Sequence, residues 1–200
     1  MLEVLISSET RVKLLTLFLL NPEKEYYIRQ VERLVGKNYA LVRKELAKLE
    51  SFGLLRSKTK GNQIYYTVDQ NFFLYPELQR LVLKTEGVAQ VLEDGLDELG
   101  DVECIFIYGS FASGTAGAKS DIDLFIVGDV DENRLIPLIN KSERTLQREI
   151  NYTLVKKEEL RDRVNKADPF ITNVLNRPKI VILGEDCYGY GETPGDGRED

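Results

Sequence analysis

Histidine is absent from the 200-residue sequence. That absence excludes Ser-His-Asp and Cys-His catalysis, His-ligated zinc and imidazole proton shuttling. Any chemistry must run on carboxylates, hydroxyls, Lys, Arg, backbone donors or a bound ion. Cysteine is scarce: Cys104 and Cys187 sit far apart without metal-ligand spacing. Cys104 falls in an apolar strand-like run and is expected to be a reduced core residue. Long hydrophobic runs are missing too. The longest, Leu14 to Leu20, is broken by Thr16 and falls far short of the ~18–20 residues that span a bilayer. Met1-Leu2-Glu3 lacks the charged start, apolar middle and cleavage site of a signal peptide. No membrane contact and a cytoplasmic location are the expectations.

What is present is an ordinary globular composition with uneven charge. Residues 1–68 carry 12 Lys and Arg against 7 Asp and Glu, a net of +5, while the remainder nets -11. Such a split suggests a polyanion as partner for the first half and metal ions for the second. Ser7-Ser8-Glu9 followed by apolar periodicity to Leu20 predicts a capped helix that Asn21-Pro22 ends. A second helix is expected over about Tyr27–Val35, a turn at Gly36-Lys37-Asn38, and a third helix over about Tyr39–Phe52 closed by Gly53. Strand-like runs on either side of Lys60-Gly61-Asn62 predict a β-hairpin. From Pro76 to Leu99 the pattern is amphipathic, weakened by Gly87 and Gly95. It reads as a connecting helix or helix pair, as a dimer contact, or as a helix packed on its own domain. Beyond Val102 strands and helices alternate through Leu183, the pattern of an α/β or α+β domain. The Gly-rich, acidic residues 185–200 read as a flexible tail.

The informative stretch runs from Tyr108 to Val127. An apolar strand ends in Gly109-Ser110 and turns into a short helix. Its first-turn N–H groups, a hydroxyl and the positive end of the helix dipole suit a phosphate, and Gly109 lets a ligand approach the backbone. Asp121-Ile122-Asp123 opens the next apolar strand. Residues two apart on a strand share a face, so the two carboxylates repel unless a cation sits between them, and hard oxygen ligands suit Mg²⁺. A triphosphate cradle beside a metal site supports phosphoryl or nucleotidyl transfer.

Gly109-Ser110 followed by Ser120-Asp121-x-Asp123-Leu124 resembles the DNA polymerase β-like nucleotidyltransferases, in particular the minimal nucleotidyltransferase domains. The resemblance implies Asp121 and Asp123 as catalytic metal ligands, Gly109, Ser110 and Ser120 as nucleotide-binding residues, Mg²⁺ or Mn²⁺ as cofactor and an NTP as substrate. Two departures stand out. Ser113 occupies a place where the family usually carries a basic residue. Asn151 falls where the family carries a third metal-binding carboxylate, so it is a weak, uncharged ligand and no general base. Lys119 reads as a solvated loop lysine.

In the first half, helix, helix, turn, helix, hairpin is the order of a winged helix-turn-helix. With Val42, Leu46 and Leu49 turned inward, Asn38, Tyr39, Arg43, Lys44 and Lys48 face outward, and Arg56, Lys58 and Lys60 flank the hairpin. Such residues can reach bases and phosphates of double-stranded DNA. The pattern from Leu46 to Leu54 resembles the winged-helix domains of ArsR-like regulators, which implies paired half-sites and a homodimer; a protein-contact role remains the alternative.

The expected architecture is α+β: a winged helix-turn-helix DNA-binding domain (1–75), a connecting helical segment (76–100), a nucleotidyltransferase domain (101–184) and a tail (185–200). The expected function is NMP transfer from an NTP to a protein, nucleic acid or small molecule. The alternative is a DNA-binding regulator, or an antitoxin-like protein acting on a toxin partner, whose second domain only binds nucleotide.

Overall fold

The computed structural model of the protein describes residue 2 and residues 5–87, 95–117 and 119–184. Helix α1 (Glu9–Leu19) begins where the Ser8 side chain accepts a hydrogen bond from the Arg11 amide, and it buries Val12, Leu14, Leu15 and Phe18. Helix α2 (Ile28–Val35) buries Ile28, Val31 and Val35 and stops at Gly36 in the left-handed conformation that glycine adopts at least cost. Asn38 caps α3 (Tyr39–Ser51), which turns Val42, Leu46 and Leu49 inward at helical spacing.

The hairpin pairs β2 (Leu55–Lys60) with β3 (Gln63–Val68), Lys60 opposite Gln63 across a tight Gly61-Asn62 turn. A two-residue strand, β1 (Tyr26–Tyr27), adds to the other edge of β3 and makes the order β1-β3-β2. Helix α4 (Tyr75–Thr85) follows. It is docked on the first helix, with Gln79 Nε2 donating to the Leu19 carbonyl at 2.9 Å. Residues 88–94 of the expected connecting segment and the expected tail 185–200 lie outside the described residues.

After the short helix α5 (Leu96–Leu99) the second half runs β4 (Gly100–Tyr108), α6 (Gly109–Ser113), β5 (Ile122–Val130), α7 (Glu132–Leu146) and β6 (Ile150–Val155). Helices α8 (Lys157–Asn165) and α9 (Pro169–Asn176) and strand β7 (Ile180–Leu183) complete it. The sheet order is β6-β5-β4-β7. Strands β5 and β6 are parallel, joined through α7, whereas β4 is antiparallel to both neighbours. The architecture is α+β.

Alternation along β4 and β5 divides two apolar faces. On one, Ile105, Ile107, Leu124 and Ile126 merge with Phe111 of α6, Leu135 of α7 and Leu14, Phe18 and Leu83 of the first half, one continuous cluster. On the other, Cys104, Phe106, Phe125 and Val127 pack under Leu160, Ile171 and Val174 of α8 and α9. Cys104 is buried, as its apolar run suggests, but disulfide-bonded rather than reduced. Among the described residues no helix is long and apolar enough to cross a membrane.

Candidate functional site

Strand β4 ends at Tyr108, directly opposite Asp123 on β5. The chain then turns through Gly109 at φ +71° into α6. A Cβ at this position would stand 2.2 Å from Asp123 Oδ2, so both the backbone twist and the neighbouring carboxylate demand glycine. Ser110 lies in the first turn of α6, half-buried, its carbonyl accepting from the Thr115 amide at 2.9 Å. The helix is only five residues long, and its N-cap position, Tyr108, makes no side-chain hydrogen bond to it. The amides of its first turn have no intrahelical partner, and the helix begins at Gly109, beside the Asp123 carboxylate.

Asp123 lies on the face of β5 that carries Phe125 and Val127, and Asp121 precedes the strand at the same spacing. Parallel pairing puts Asn151 of β6 level with Asp123, and Asn151 Nδ2 donates to Asp121 Oδ2 at 3.2 Å. Three oxygen-bearing side chains therefore meet at one sheet end. Burial, and after it the charge of Asp121, pushes the Asp123 carboxyl above its ordinary value. A divalent cation would relieve both effects, so the donor set fits a hard metal held through few ligands and several waters. Among the described residues no three His, Cys, Asp or Glu side chains cluster to hold a metal ion; the third side chain at this sheet end is the Asn151 amide. Glu149 is exposed, and it is the backbone carbonyl of this residue that reaches the Ile122 amide, at 2.9 Å.

The hydroxyl of Ser120 accepts from the Gly117 amide at 2.9 Å, closing a turn just ahead of Asp121. Lys119 and Ser113 are exposed. Two further groups escaped sequence reasoning. Tyr108 Oη lies 3.4 Å from Thr153 Oγ1 on the face that bears the carboxylates. Arg148, only 7% exposed, donates through Nη1 to the Gly117 and Ser120 carbonyls at 3.1 and 2.8 Å and through Nε to Leu20 at 2.6 Å. No periodicity marks it, because its burial comes from docking of the first half of the chain.

Tyr39, Arg43 and Lys44 are exposed on α3, and Lys58 on β2. Asn38 spends its side-chain oxygen on the Leu41 amide at 3.0 Å. Lys48 pairs with Glu45 at 2.7 Å, Arg56 with Asp69 at 2.6 Å, and Lys60 with Glu25.

Residues 90–186 match the family model described as "Polymerase beta, Nucleotidyltransferase". Over 82 residues the chain is 33% identical to a Methanocaldococcus jannaschii protein named "Putative protein adenylyltransferase MJ0604", a match covering 41% of this chain and 80% of that relative. The chain belongs to the polymerase beta nucleotidyltransferase family. Its family segment contains Gly109, both aspartates and Asn151. Among solved structures, a toxin–antitoxin crystal structure with AMP-PNP is 19% identical at a TM-score of 0.38, over 52% of this chain and 77% of that one. A mutant of the toxin–antitoxin pair MntA-HpeT gives the same TM-score and coverage at 16% identity.

Proposed function

We propose that this family member is a Mg²⁺- or Mn²⁺-dependent nucleotidyltransferase that moves a nucleoside monophosphate from an NTP onto an acceptor. The observation that carries the reading is the approach of Gly109 to Asp123, which sets uncapped amides beside a carboxylate pair at one strand end. In this reading Asp121 and Asp123, with weak help from the Asn151 amide oxygen, hold the metal. Gly109 and Ser110 hold the triphosphate, while Ser120 shapes the turn before Asp121. The metal would supply charge neutralisation at the phosphates. The acceptor oxygen bonds to the α-phosphorus, pyrophosphate leaves with the electron pair of the broken bond, and the acceptor proton passes to solvent. The name of the 33%-identical relative favours a protein side chain as acceptor.

The first half (residues 1–75) is a winged-helix DNA-binding domain in this proposal, targeting the enzyme or its own gene's regulation from the cytoplasm. The order of three helices and a hairpin supports it, as does the exposed face of Tyr39, Arg43 and Lys44. Reversing two charges, in Arg43→Glu/Lys44→Glu, should flatten the salt dependence of duplex binding by about one unit of slope per lost phosphate contact. Unchanged duplex affinity and slope, measured by fluorescence anisotropy, would remove the DNA-binding half of the proposal.

One observation favours a second reading, a nucleotide-responsive regulator or antitoxin-like protein without turnover: Asn151 supplies no third negative charge. Both readings need nucleotide binding. Saturating Mg²⁺ and ATP at ~100 times Kd should stabilise the chain by ~2.7 kcal/mol, about 5–10 °C in melting temperature at this size. Asp121→Asn should abolish the rise. A wild-type chain whose melting point no NTP moves would exclude both.

A further inference from the structure

The two aspartates of the candidate site are held in different ways. Asp123 lies within β5 and is fixed on both sides by the sheet, opposite Tyr108 and level with Asn151. Asp121 precedes the strand, at the end of a connection from Gly114 that contains no helix or strand among its described residues. What shapes the end of that connection is a turn in which the Ser120 amide donates to the Gly117 carbonyl at 3.2 Å, while the Gly117 amide donates to Ser120 Oγ at 2.9 Å. Both carbonyls at the ends of the turn receive the same nitrogen of Arg148, Nη1, at 3.1 and 2.8 Å. The Ser120 carbonyl belongs to the peptide that joins Ser120 to Asp121, so its orientation sets where the Asp121 carboxylate stands.

Arg148 is itself anchored from outside the family segment. Its Nε donates to the Leu20 carbonyl, at the C-cap of α1, at 2.6 Å, and its guanidinium lies over the Phe111 ring at 5.5 Å from the centroid. Beside it, Asn21 Nδ2 donates to the Leu146 carbonyl at 3.1 Å and Lys24 Nζ to Gln147 at 3.1 Å. A side chain needed only to fill this space would be better apolar, since burying a guanidinium is costly unless its donors are used. The planar fork can hold three carbonyls from two parts of the chain in fixed directions, which an apolar residue or a lysine cannot.

We infer that Arg148 is the positioning residue of the metal site: it locks the Gly117–Ser120 turn so that Asp121 stands at metal-binding distance from Asp123, and it passes the Leu20 anchor of the first half into that geometry. The inference rests on the nucleotidyltransferase reading of the site. Metal sites lose affinity when the groups that aim their ligands are removed, typically 10- to 100-fold.

The test uses the full chain with Mn²⁺ and ATP as probes, bound Mn²⁺ being read by electron paramagnetic resonance well below each variant's melting temperature. Arg148→Met, shown folded by circular dichroism, should bind Mn²⁺–ATP at least tenfold more weakly than wild type. Arg148→Lys, which retains charge but reaches fewer carbonyls, should fall between them. Leu46→Ala, a core truncation in α3 away from the aspartates, should lower the melting temperature and leave the affinity unchanged. If neither Arg148 variant folds, Phe111→Leu withdraws the ring from the guanidinium while sparing every carbonyl, and a weaker affinity is again expected. A folded Arg148→Met or Phe111→Leu within twofold of wild type overturns the inference, as does an equal loss in Leu46→Ala. A wild-type chain that binds no Mn²⁺–ATP overturns the nucleotidyltransferase reading and this inference together.

Discussion

Gly109 and Asp123 meet so closely that position 109 has no room for a side chain. Alanine at 109 would put its Cβ 2.2 Å from Asp123 Oδ2 at a φ of +71°, a strained conformation worth ~1–3 kcal/mol before the collision is counted. Gly109→Ala should therefore lower the melting temperature and weaken Mg²⁺–ATP binding together, as thermal shift and calorimetry would read. At Asp123 the carboxyl is held above its ordinary value, by burial first and by Asp121 second. The stability this group contributes is therefore present below the ordinary carboxylate range and lost as pH rises through its raised value. At neutral pH the cation-free chain carries that cost. Asp123→Asn should raise its melting temperature there, Mg²⁺ should raise that of wild type only, and cation affinity should begin to fall on acidification above the ordinary carboxylate range. The Gly109-Ser110 and Asp121-x-Asp123 pairs were legible in sequence because strand period and glycine chemistry are local. Arg148 was not, because its burial depends on residues distant along the chain.

Between elements, the decisive contact is a turn against a turn. The residues after α1 meet those after α7 through Asn21, Lys24 and Arg148. Asn21 is fully buried and gives its amide to both the Leu17 and Leu146 carbonyls, at 3.0 and 3.1 Å. Asn21→Ala leaves both acceptors short of a donor and should cost ~1–3 kcal/mol, or about 2–4 °C of melting temperature per kcal/mol at this size. A loss below ~0.5 kcal/mol in chemical denaturation would contradict that role. Asn21-Pro22 could be read only as a helix stop, since its second task is tertiary. The hairpin was legible from Gly61-Asn62 between two strand-like runs. Strand β1, two residues long, is too short to show a period and exists because β3 offers it an edge.

Across the whole molecule, charge and core divide the chain differently. Net charge splits it near Val68, whereas the largest apolar cluster runs from Leu14 and Phe18 through Leu83 to Leu124 and Leu135 without a break. A chain built this way should unfold in one transition, with far-ultraviolet dichroism and tyrosine fluorescence coinciding; two resolved transitions would show that the shared core does not couple the halves. The central claim is transfer of a nucleotide. It is tested most directly with α-phosphate-labelled NTPs and Mg²⁺ or Mn²⁺, on the protein alone and in extract from its own source, beside Asp121→Asn/Asp123→Asn. Label on an acceptor that requires both aspartates is the predicted result. No label from a chain that demonstrably binds Mg²⁺–ATP would contradict it, leaving a protein in which Asn151 marks a site that binds nucleotide without turning it over.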